Sequence, residues 1–283
     1  MRHGQGVVDT QWVADHLDDS DVIVCDCRFA GDREESRRRY ERGHIPGAVH
    51  VFWLEDLSAA DTTVTTFLPS AAEAERALGR LGVGDGSRVV GYADQGNLYA
   101  SRLWHVLTQF GHREVALMDG GIEAWVAEGR PLERGDVPPS PDRFRVSRSG
   151  RAPGIGRDEI AARLADPDLT LLDVRTPEEF SGEQRRAARG GHIPGAVLLP
   201  WDGNLDAGGR IRPVAGIRAR AQAAGVLPDR EIAVYCQGGV RAAHTAWALE
   251  LAGYRRVRIY DGSWAEWGND SRLPVASASG VRV

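Results

Sequence analysis

The sequence is poor in the residues and runs that mark several common protein classes. Only three of its 283 residues are cysteine, which is too few for a disulfide framework and leaves at least one thiol unpaired. No stretch approaches the ~20 consecutive apolar residues that a membrane-spanning helix requires. A formal net charge of -5 provides no general basic surface for nucleic acid, although arginines cluster locally. We therefore expect a globular protein that binds neither membranes nor nucleic acids.

The N-terminal segment also lacks the apolar core of a signal peptide. It reads MRHGQGVVDTQWVADHLDD and becomes acidic within the first 19 residues. Hydrophobic residues make up 42% of the chain and charged residues 27%, a balance that is typical of folded soluble domains rather than disordered ones. We expect a cytoplasmic protein.

What the sequence does contain is an internal repeat. Three segments of the first half return in the same order in the second half: DCR at 26–28 as DVR at 173–175, GHIPGAV at 43–49 and 191–197, and FGHREVALMDGGIEAW at 110–125 as AGYRRVRIYDGSWAEW at 252–267. Repeats of this spacing predict a duplicated domain. Because the segment around 131–154 is rich in Pro, Gly, Ser and Arg, we expect domains at 1–135 and 154–283 joined by a linker at 136–153.

Each half alternates short apolar segments with helical patterns. In the second half the patterns predict helices within 158–166, 214–226 and 241–254, and strands within 170–174, 231–236 and 257–261. This alternation favours an α/β fold in which each domain is a parallel sheet with helices on both faces. Ligands of such sheets bind at the carboxyl ends of the strands, and Cys236 lies at one of these ends.

The segment CQGGVR at 236–241 has the composition of an anion-binding loop around a thiol. Its two glycines permit the backbone angles with which several amide groups point inward, and the helix that follows contributes partial positive charge. Such a loop stabilises a thiolate and an anion bound beside it. The candidate nucleophile is therefore Cys236, and the candidate substrate-binding residues that follow it are Gln237, Gly238, Gly239, Val240 and Arg241.

Taken together, these motifs resemble the tandem-domain rhodanese-type sulfurtransferases. The resemblance is carried by both copies of GHIPGA, by LLDVRTPEEF at 171–180, by CQGGVR and by DGSWAEW at 261–267. It implies that Cys236 accepts a sulfur atom as a persulfide and passes it on in a second half-reaction. The implied donor is thiosulfate or a related small anion such as 3-mercaptopyruvate. The implied acceptor is cyanide, a thiol or a reduced thioredoxin-like protein, and no cofactor or metal is expected.

The first half lacks a cysteine in the corresponding loop. An offset of 142 residues places Asp94 opposite Cys236, whereas a local gap places Ala93 there. Cys25 and Cys27 share one face of a predicted strand, where core packing is a better explanation than a metal or redox pair. The resemblance implies an inactive first domain and an active second one.

The arginines of EQRRAARGGH leave two alternatives open. Arg185, Arg186 and Arg189 either lie in a solvated loop or frame the mouth of the site, and the family resemblance implies substrate binding by Arg186 and Arg189. His44 and His192, in the repeated turn, are expected to form structural hydrogen bonds. The sequence also departs from the well-known thiosulfate and mercaptopyruvate enzymes, because Glu179 precedes Phe180 where those have an arginine. The loop CQGGVR likewise differs from CRKGVT and CGSGVT, which are the loop sequences typical of those two activities.

Two functions of other classes remain as alternatives. Cysteine phosphatases and arsenate reductases also place a thiolate in an amide cradle, but their C-x5-R loop is one residue longer than the C-x4-R of Cys236 to Arg241. A non-catalytic rhodanese-like binding module is the other alternative, and the intact cysteine loop argues against it for the whole chain.

Overall fold

The computed structural model describes residues 6–60, 64, 66–147 and 154–277, together with the backbone of 280–282. Spatial contacts group them into two compact units. The first contains the described residues of 6–60 and 68–147 together with Leu205–Ile211, and the second contains those of 64–67, 154–204 and 212–282. The expected limits at 135 and 154 stay a prediction, and part of the expected linker, 148–153, lies outside the described residues.

The first unit is built on a parallel sheet of five strands. The strands are β1 (Val7–Val8), β2 (Val22–Asp26), β3 (Val49–His50), β4 (Arg88–Tyr92) and β5 (Val115–Met118). They are arranged in the order β1-β5-β4-β2-β3. The helices are α1 (Thr10–Asp15), α2 (Arg33–Arg42), α3 (Trp53–Asp56), α4 (Ala71–Arg80), α5 (Ala100–Gln109) and α6 (Gly121–Ala127), with a 3₁₀ turn at Gln95–Asn97.

Successive side chains along these strands point to opposite faces of the first sheet, and helices pack against both faces. Val24 and Tyr92 belong to a core cluster with Ile122 and Trp125 of α6. A side chain at Gly91, one residue out of phase, would instead meet α5. Buried strands with helices on either side are the arrangement that the sequence predicts for a parallel sheet.

The second unit repeats this design with four parallel strands. They are β6 (Leu169–Asp173), β7 (Val197–Leu198), β8 (Glu231–Tyr235) and β9 (Val257–Ile259), in the order β7-β6-β8-β9. An antiparallel pair, β10 (Val275–Ser277) and β11 (Gly280–Arg282), follows. The helices are α7 (Arg157–Ala162), α8 (Pro177–Ser181), α9 (Val214–Ala223), α10 (Val240–Leu251) and α11 (Ser263–Trp267), with a 3₁₀ turn at Trp201–Asn204.

The fold class expected from the sequence is confirmed, because each unit is a parallel α/β sheet. The strands predicted within 170–174, 231–236 and 257–261 are β6, β8 and β9. Helix α10 ends before Gly253, which adopts φ +89° as glycines after helices commonly do. Among the described residues, no helix is long and apolar enough to span a membrane.

A buried ion pair sits at the carboxyl end of the central strands in each unit. Arg175 donates to both carboxylate oxygens of Asp173, at 2.6–3.1 Å, and to the carbonyl oxygen of Gly191 at 2.7 Å. Arg28 and Asp26 make the matching pair in the first unit. The side chain of Arg175 is 1% exposed and that of Asp173 is fully buried. Water therefore solvates neither charge, and each is balanced only by its partner.

Removing Arg175 is expected to be strongly destabilising. Arg175→Ala leaves the Asp173 carboxylate buried without its counter-charge, which costs ~3–5 kcal/mol of unfolding free energy. Chemical denaturation followed by tryptophan fluorescence measures the loss. Arg272→Ala is the control, since Arg272 pairs with Asp270 while its side chain is 77% exposed, and its unfolding should stay close to that of the parent. Equal stability of the two variants would contradict the role given to the buried pair.

Candidate active site

Cys236 lies directly after β8, between the sheet and helix α10. The next residues form a short turn, and Gly239 occupies the N-cap of α10 with φ +82°, a left-handed conformation that suits glycine. Helix α10 has 12 residues, so its N-terminus directs partial positive charge towards the turn. Cys236 is 1% exposed, so its thiol is buried within the turn rather than lying on the surface.

The loop is held in place from the side of α11. The backbone N–H groups of Trp264 and Ala265 donate to the carbonyl oxygens of Cys236 and Gln237, each at 2.9 Å. Ser263 Oγ accepts from the N–H of Cys236 at 3.1 Å and donates to the Tyr260 carbonyl oxygen at 2.8 Å. The bonds from Trp264 and Ala265 fix the carbonyl groups of Cys236 and Gln237, which point towards α11 and away from the turn.

The N–H groups at the centre of the loop have no acceptor in the part of the chain that the structure describes. Across the described residues, the backbone N–H groups of Gln237, Gly238 and Gly239 donate to no protein atom. A turn of free amides at a helix N-terminus is a binding site for an anion. A Cβ at Gly238 would lie 3.0 Å from Thr66 Oγ1, a close contact that the Thr66 side chain would have to relieve.

Arg241 is held by an acid that the sequence did not bring to the site. Its Nη1 and Nη2 atoms donate to the two carboxylate oxygens of Glu179, at 2.6 and 2.9 Å. Glu179 is 1% exposed. Burial alone would raise the pKa of Glu179, but the hydrogen bonds and charge of Arg241 lower it to about 2. Burial alone would lower the pKa of Arg241, whereas the hydrogen bonds that it donates to Glu179 and the charge of Cys236 raise it. Both groups therefore stay ionised at neutral pH.

The two other predicted arginines have different surroundings. Arg186 Nη1 lies 3.5 Å from a carboxylate oxygen of Glu179, and its side chain is 51% exposed, so it sits at the mouth of the site. The side chain of Gln237 also donates to the Arg186 carbonyl oxygen at 3.1 Å.

Arg189 instead binds backbone carbonyls at the end of α11 and in the segment that follows it. Its guanidinium donates to the carbonyl oxygens of Leu273 at 2.6 Å, Trp267 at 2.8 Å, and Asp270. The structure thus brings Gln237, Gly238, Gly239, Val240, Arg241 and Arg186 together around Cys236, whereas the guanidinium of Arg189 is engaged by backbone carbonyls.

The histidines of the repeated turn take structural positions. His192 stacks on Phe180 with ring centroids 3.6 Å apart, and its Nδ1 lies 2.8 Å from the Phe180 carbonyl oxygen. In the first unit, His44 stacks on Tyr40 at 3.9 Å with the same Nδ1 contact at 3.0 Å. The equivalence of the two contacts identifies the residues before the two aromatic rings, Arg39 and Glu179, as matching positions.

The loop of the first unit has alanine where the second has the thiol. The Ala93 carbonyl oxygen accepts from the N–H of Ile122 at 2.9 Å, as Cys236 does from Trp264. Tyr92, directly before Ala93, accepts from the N–H of Ile45 at 3.1 Å, as Tyr235 does from Ile193. Of the two alignments left open by the sequence, the structure therefore supports the one that places Ala93 opposite Cys236. Asp94 follows it.

Cys25 and Cys27 are core residues in the first unit. Both are buried, at 0% and 1% exposure. Burial, together with the nearby Asp26 and Asp56 carboxylates, raises the pKa of Cys25 to about 12 and holds that of Cys27 well above its usual value. In the described part of the chain, no group of three or more His, Cys, Asp or Glu side chains forms a metal site.

Two residues of the site were missed by the sequence reading. Glu179 could have been placed, because Thr176 and Glu179 have the T-x-x-E spacing of a capping box, which the structure contains and which puts Glu179 at the start of α8. The capping-box spacing does not reveal that Glu179 pairs with Arg241. Ser263 carried no local signal, since only its contact across the unit connects it to Cys236.

Comparison with known families matches both halves of the chain to one model. The model of the rhodanese-like domain matches residues 9–128 and again 156–270.

Curated relatives resemble the chain over nearly its whole length. It is 38% identical to a probable 3-mercaptopyruvate sulfurtransferase of Pseudomonas aeruginosa, over 94% of this chain and 96% of that protein. It is 35% identical to the sulfur carrier protein TtuD of Thermus thermophilus, over 97% of each. Thiosulfate sulfurtransferase of Corynebacterium glutamicum is 35% identical, over 99% of this chain and 93% of that protein.

Among solved structures, the anaerobic ergothioneine biosynthesis enzyme of Chlorobium limicola is similar. Its complex with trimethyl histidine superposes with a TM-score of 0.85 at 25% identity, covering 96% of this chain and 70% of that one. The similarity extends across both repeats.

Limited alkylation should distinguish the three thiols. At about pH 8, the raised pKa values keep Cys25 and Cys27 protonated and unreactive, so limiting iodoacetamide should label Cys236 before either of them. Peptide mapping by mass spectrometry gives the order of labelling. A chain unfolded in denaturant is the control, in which all three thiols should react at comparable rates. Earlier labelling of Cys25 or Cys27 in the folded chain would contradict this assignment.

Proposed function

Since the chain belongs to the rhodanese-like family of sulfurtransferases, we propose that Cys236 carries sulfur as a persulfide between a small donor and a thiophilic acceptor. The donor is thiosulfate or a related molecule such as 3-mercaptopyruvate. The acceptor is cyanide, a thiol or a reduced thioredoxin-like protein. The observation that carries the proposal is the thiol of Cys236 at a strand end, beside free backbone N–H groups and the N-terminus of α10.

In the first half-reaction, the Cys236 thiolate attacks the transferable sulfur of the donor. With thiosulfate, the S–S bond breaks and sulfite leaves with its electron pair, so that the protein keeps one additional sulfur atom as Cys236–S–S⁻. With 3-mercaptopyruvate, the C–S bond breaks instead and the carbon takes a proton, which releases pyruvate. Neither route requires an external oxidant or reductant.

In the second half-reaction, the acceptor attacks the outer sulfur of the persulfide. The S–S bond breaks and Cys236 leaves as the thiolate, while cyanide becomes thiocyanate or a thiol becomes a persulfide. The free N–H groups of Gln237, Gly238 and Gly239 suit this cycle, because they can donate to whichever sulfur carries the negative charge.

The burial of Cys236 supports the same assignment. A persulfide at a position that is 1% exposed is shielded from water and from other thiols until an acceptor enters the loop. The first unit is proposed to be structural or regulatory, because Ala93 provides no nucleophile.

Replacement of the thiol should abolish transfer. Cys236→Ser should gain no sulfur on incubation with thiosulfate or 3-mercaptopyruvate, because a serine hydroxyl is not ionised at neutral pH and cannot form the persulfide. The parent should gain the mass of one sulfur atom, which intact-protein mass spectrometry detects. Cys25→Ser and Cys27→Ser are matched controls and should still gain sulfur if they fold.

Two results would contradict the proposal. One is substantial sulfur transfer to cyanide by Cys236→Ser. The other is hydrolysis of an aryl phosphate that depends on Cys236, without any persulfide, since that is the behaviour of a cysteine phosphatase.

A further inference from the structure

Glu179 places a buried negative charge beside the loop that receives the sulfur donor. Its carboxylate accepts from both Nη atoms of Arg241, and Arg186 lies at 3.5 Å. The Thr176 N–H also donates to it, at 3.1 Å, within the capping box of α8. Glu179 is therefore held in one position by groups on three sides, and its charge is a permanent part of the site.

The consequence is a site whose arginines contribute little net positive charge. Arg241 is neutralised by Glu179, while Arg175 is committed to Asp173 and Arg189 to backbone carbonyls. Of these four arginines, only Arg186 has a substantially exposed side chain, at 51%. Once the thiolate of Cys236 is counted, the charges of Cys236, Glu179, Arg241 and Arg186 sum to zero. A donor that brings two negative charges then meets no excess of positive charge, and its binding depends on the backbone N–H groups of the loop and on Arg186.

The first unit provides an internal comparison, because its charges are reversed. Arg39 takes the position of Glu179, before the aromatic ring that stacks on the histidine, and its Nη1 lies 2.6 Å from Asp94 Oδ2. Each unit thus uses this position for an ion pair with its own loop. In the first unit the position supplies a cation and the loop supplies an anion, and in the second unit the signs are exchanged. The position can carry either charge within this fold, so the carboxylate of Glu179 is not dictated by packing alone.

We propose that Glu179 determines the donor specificity of Cys236, favouring an alkyl persulfide of low charge over the thiosulfate dianion. This inference rests on the proposed function. The transfer it describes is Cys236–S⁻ + R–S–SH → Cys236–S–SH + R–S⁻. The S–S bond of the donor breaks, its outer sulfur bonds to Cys236, and the electron pair leaves on the donor thiolate, which then takes a proton from water. No further reactant is required.

The experiment compares two donors that differ in charge. The rate at which Cys236 gains one sulfur atom is measured by rapid mixing and intact mass, first with thiosulfate and then with the persulfide of N-acetylcysteamine, which carries at most one negative charge, on its terminal sulfur. The ratio of the two rates is compared in the parent, in Glu179→Gln and in Glu178→Gln. Glu178 is the matched control, since it is the exposed neighbour of Glu179 and undergoes the same change of charge.

In Glu179→Gln, the guanidinium of Arg241 no longer faces a carboxylate and becomes available to the donor. The ratio of thiosulfate to persulfide rates should rise roughly ten-fold or more, as expected for a charge-assisted hydrogen bond. In this variant, added salt should slow the thiosulfate reaction more than it does in the parent. Glu178→Gln should keep the parental ratio within about two-fold, because exposed charges are well screened.

A purely structural role of Glu179 predicts a different pattern. Both donors would then slow down together in Glu179→Gln, with an unchanged ratio, and this result would overturn the inference while leaving the persulfide chemistry intact. If Glu179→Gln does not fold, Arg186→Gln tests the same charge balance in the opposite direction. Arg186→Gln should lower the ratio of the thiosulfate rate to the persulfide rate several-fold, and an unchanged ratio would count against the inference. Failure of both donors to load Cys236 in the parent would overturn the proposed function itself.

Discussion

The buried pair of Asp173 and Arg175 connects the sheet of the second unit to its site. Arg175 lies between the Asp173 carboxylate at the end of β6 and the carbonyl oxygen of Gly191 in the repeated turn. The next residue but one in that turn, Ile193, donates its N–H to the hydroxyl of Tyr235. The ring of Tyr235 lies against the Arg175 guanidinium, whose carbon is 5.7 Å from the ring centroid, and Tyr235 directly precedes Cys236. A single desolvated ion pair therefore fixes the turn, the end of β8 and the point at which the thiol leaves the sheet.

From that point the loop is shaped by what its backbone groups bind. The carbonyl oxygens of Cys236 and Gln237 are used by the first N–H groups of α11, which leaves the loop N–H groups for a ligand. The same arrangement satisfies the N-terminus of α11, because its free N–H groups require acceptors. Stability of the unit and binding capacity of the site thus arise from one set of hydrogen bonds.

Duplication has left the two units with the same framework and different chemistry. The Asp-Arg pair, the tyrosine before the loop and the stacked histidine are present in both. Ala93 stands where Cys236 does, and the ion pair at the loop has exchanged signs, from Arg39 with Asp94 to Glu179 with Arg241. The shared residues are those that the fold needs, since they are buried and paired. The changed residues line the loop, where substitution alters what is bound without removing support from the sheet.

The sequence by itself determined the duplication and the fold class, and it predicted which thiol is reactive. These are local properties: strand and helix periodicity, repeated motifs, and a cysteine next to two glycines at a predicted strand end can each be read from neighbouring residues. It also indicated that the first half has no thiol in the loop that corresponds to Cys236, although the choice between Ala93 and Asp94 needed the hydrogen bonds of the loop.

Only the tertiary structure decided which groups surround Cys236. Glu179 and Arg241 are 62 residues apart in the chain and meet because β6 and β8 are adjacent parallel strands that end at the same edge of the sheet. Ser263 reaches Cys236 across 27 residues for the same reason. Arg189, close to Arg186 in sequence, is directed instead to carbonyls at the end of α11 and beyond it. Sequence patterns report the side chains that a segment contains, whereas the charge at a site depends on which segments the sheet brings together.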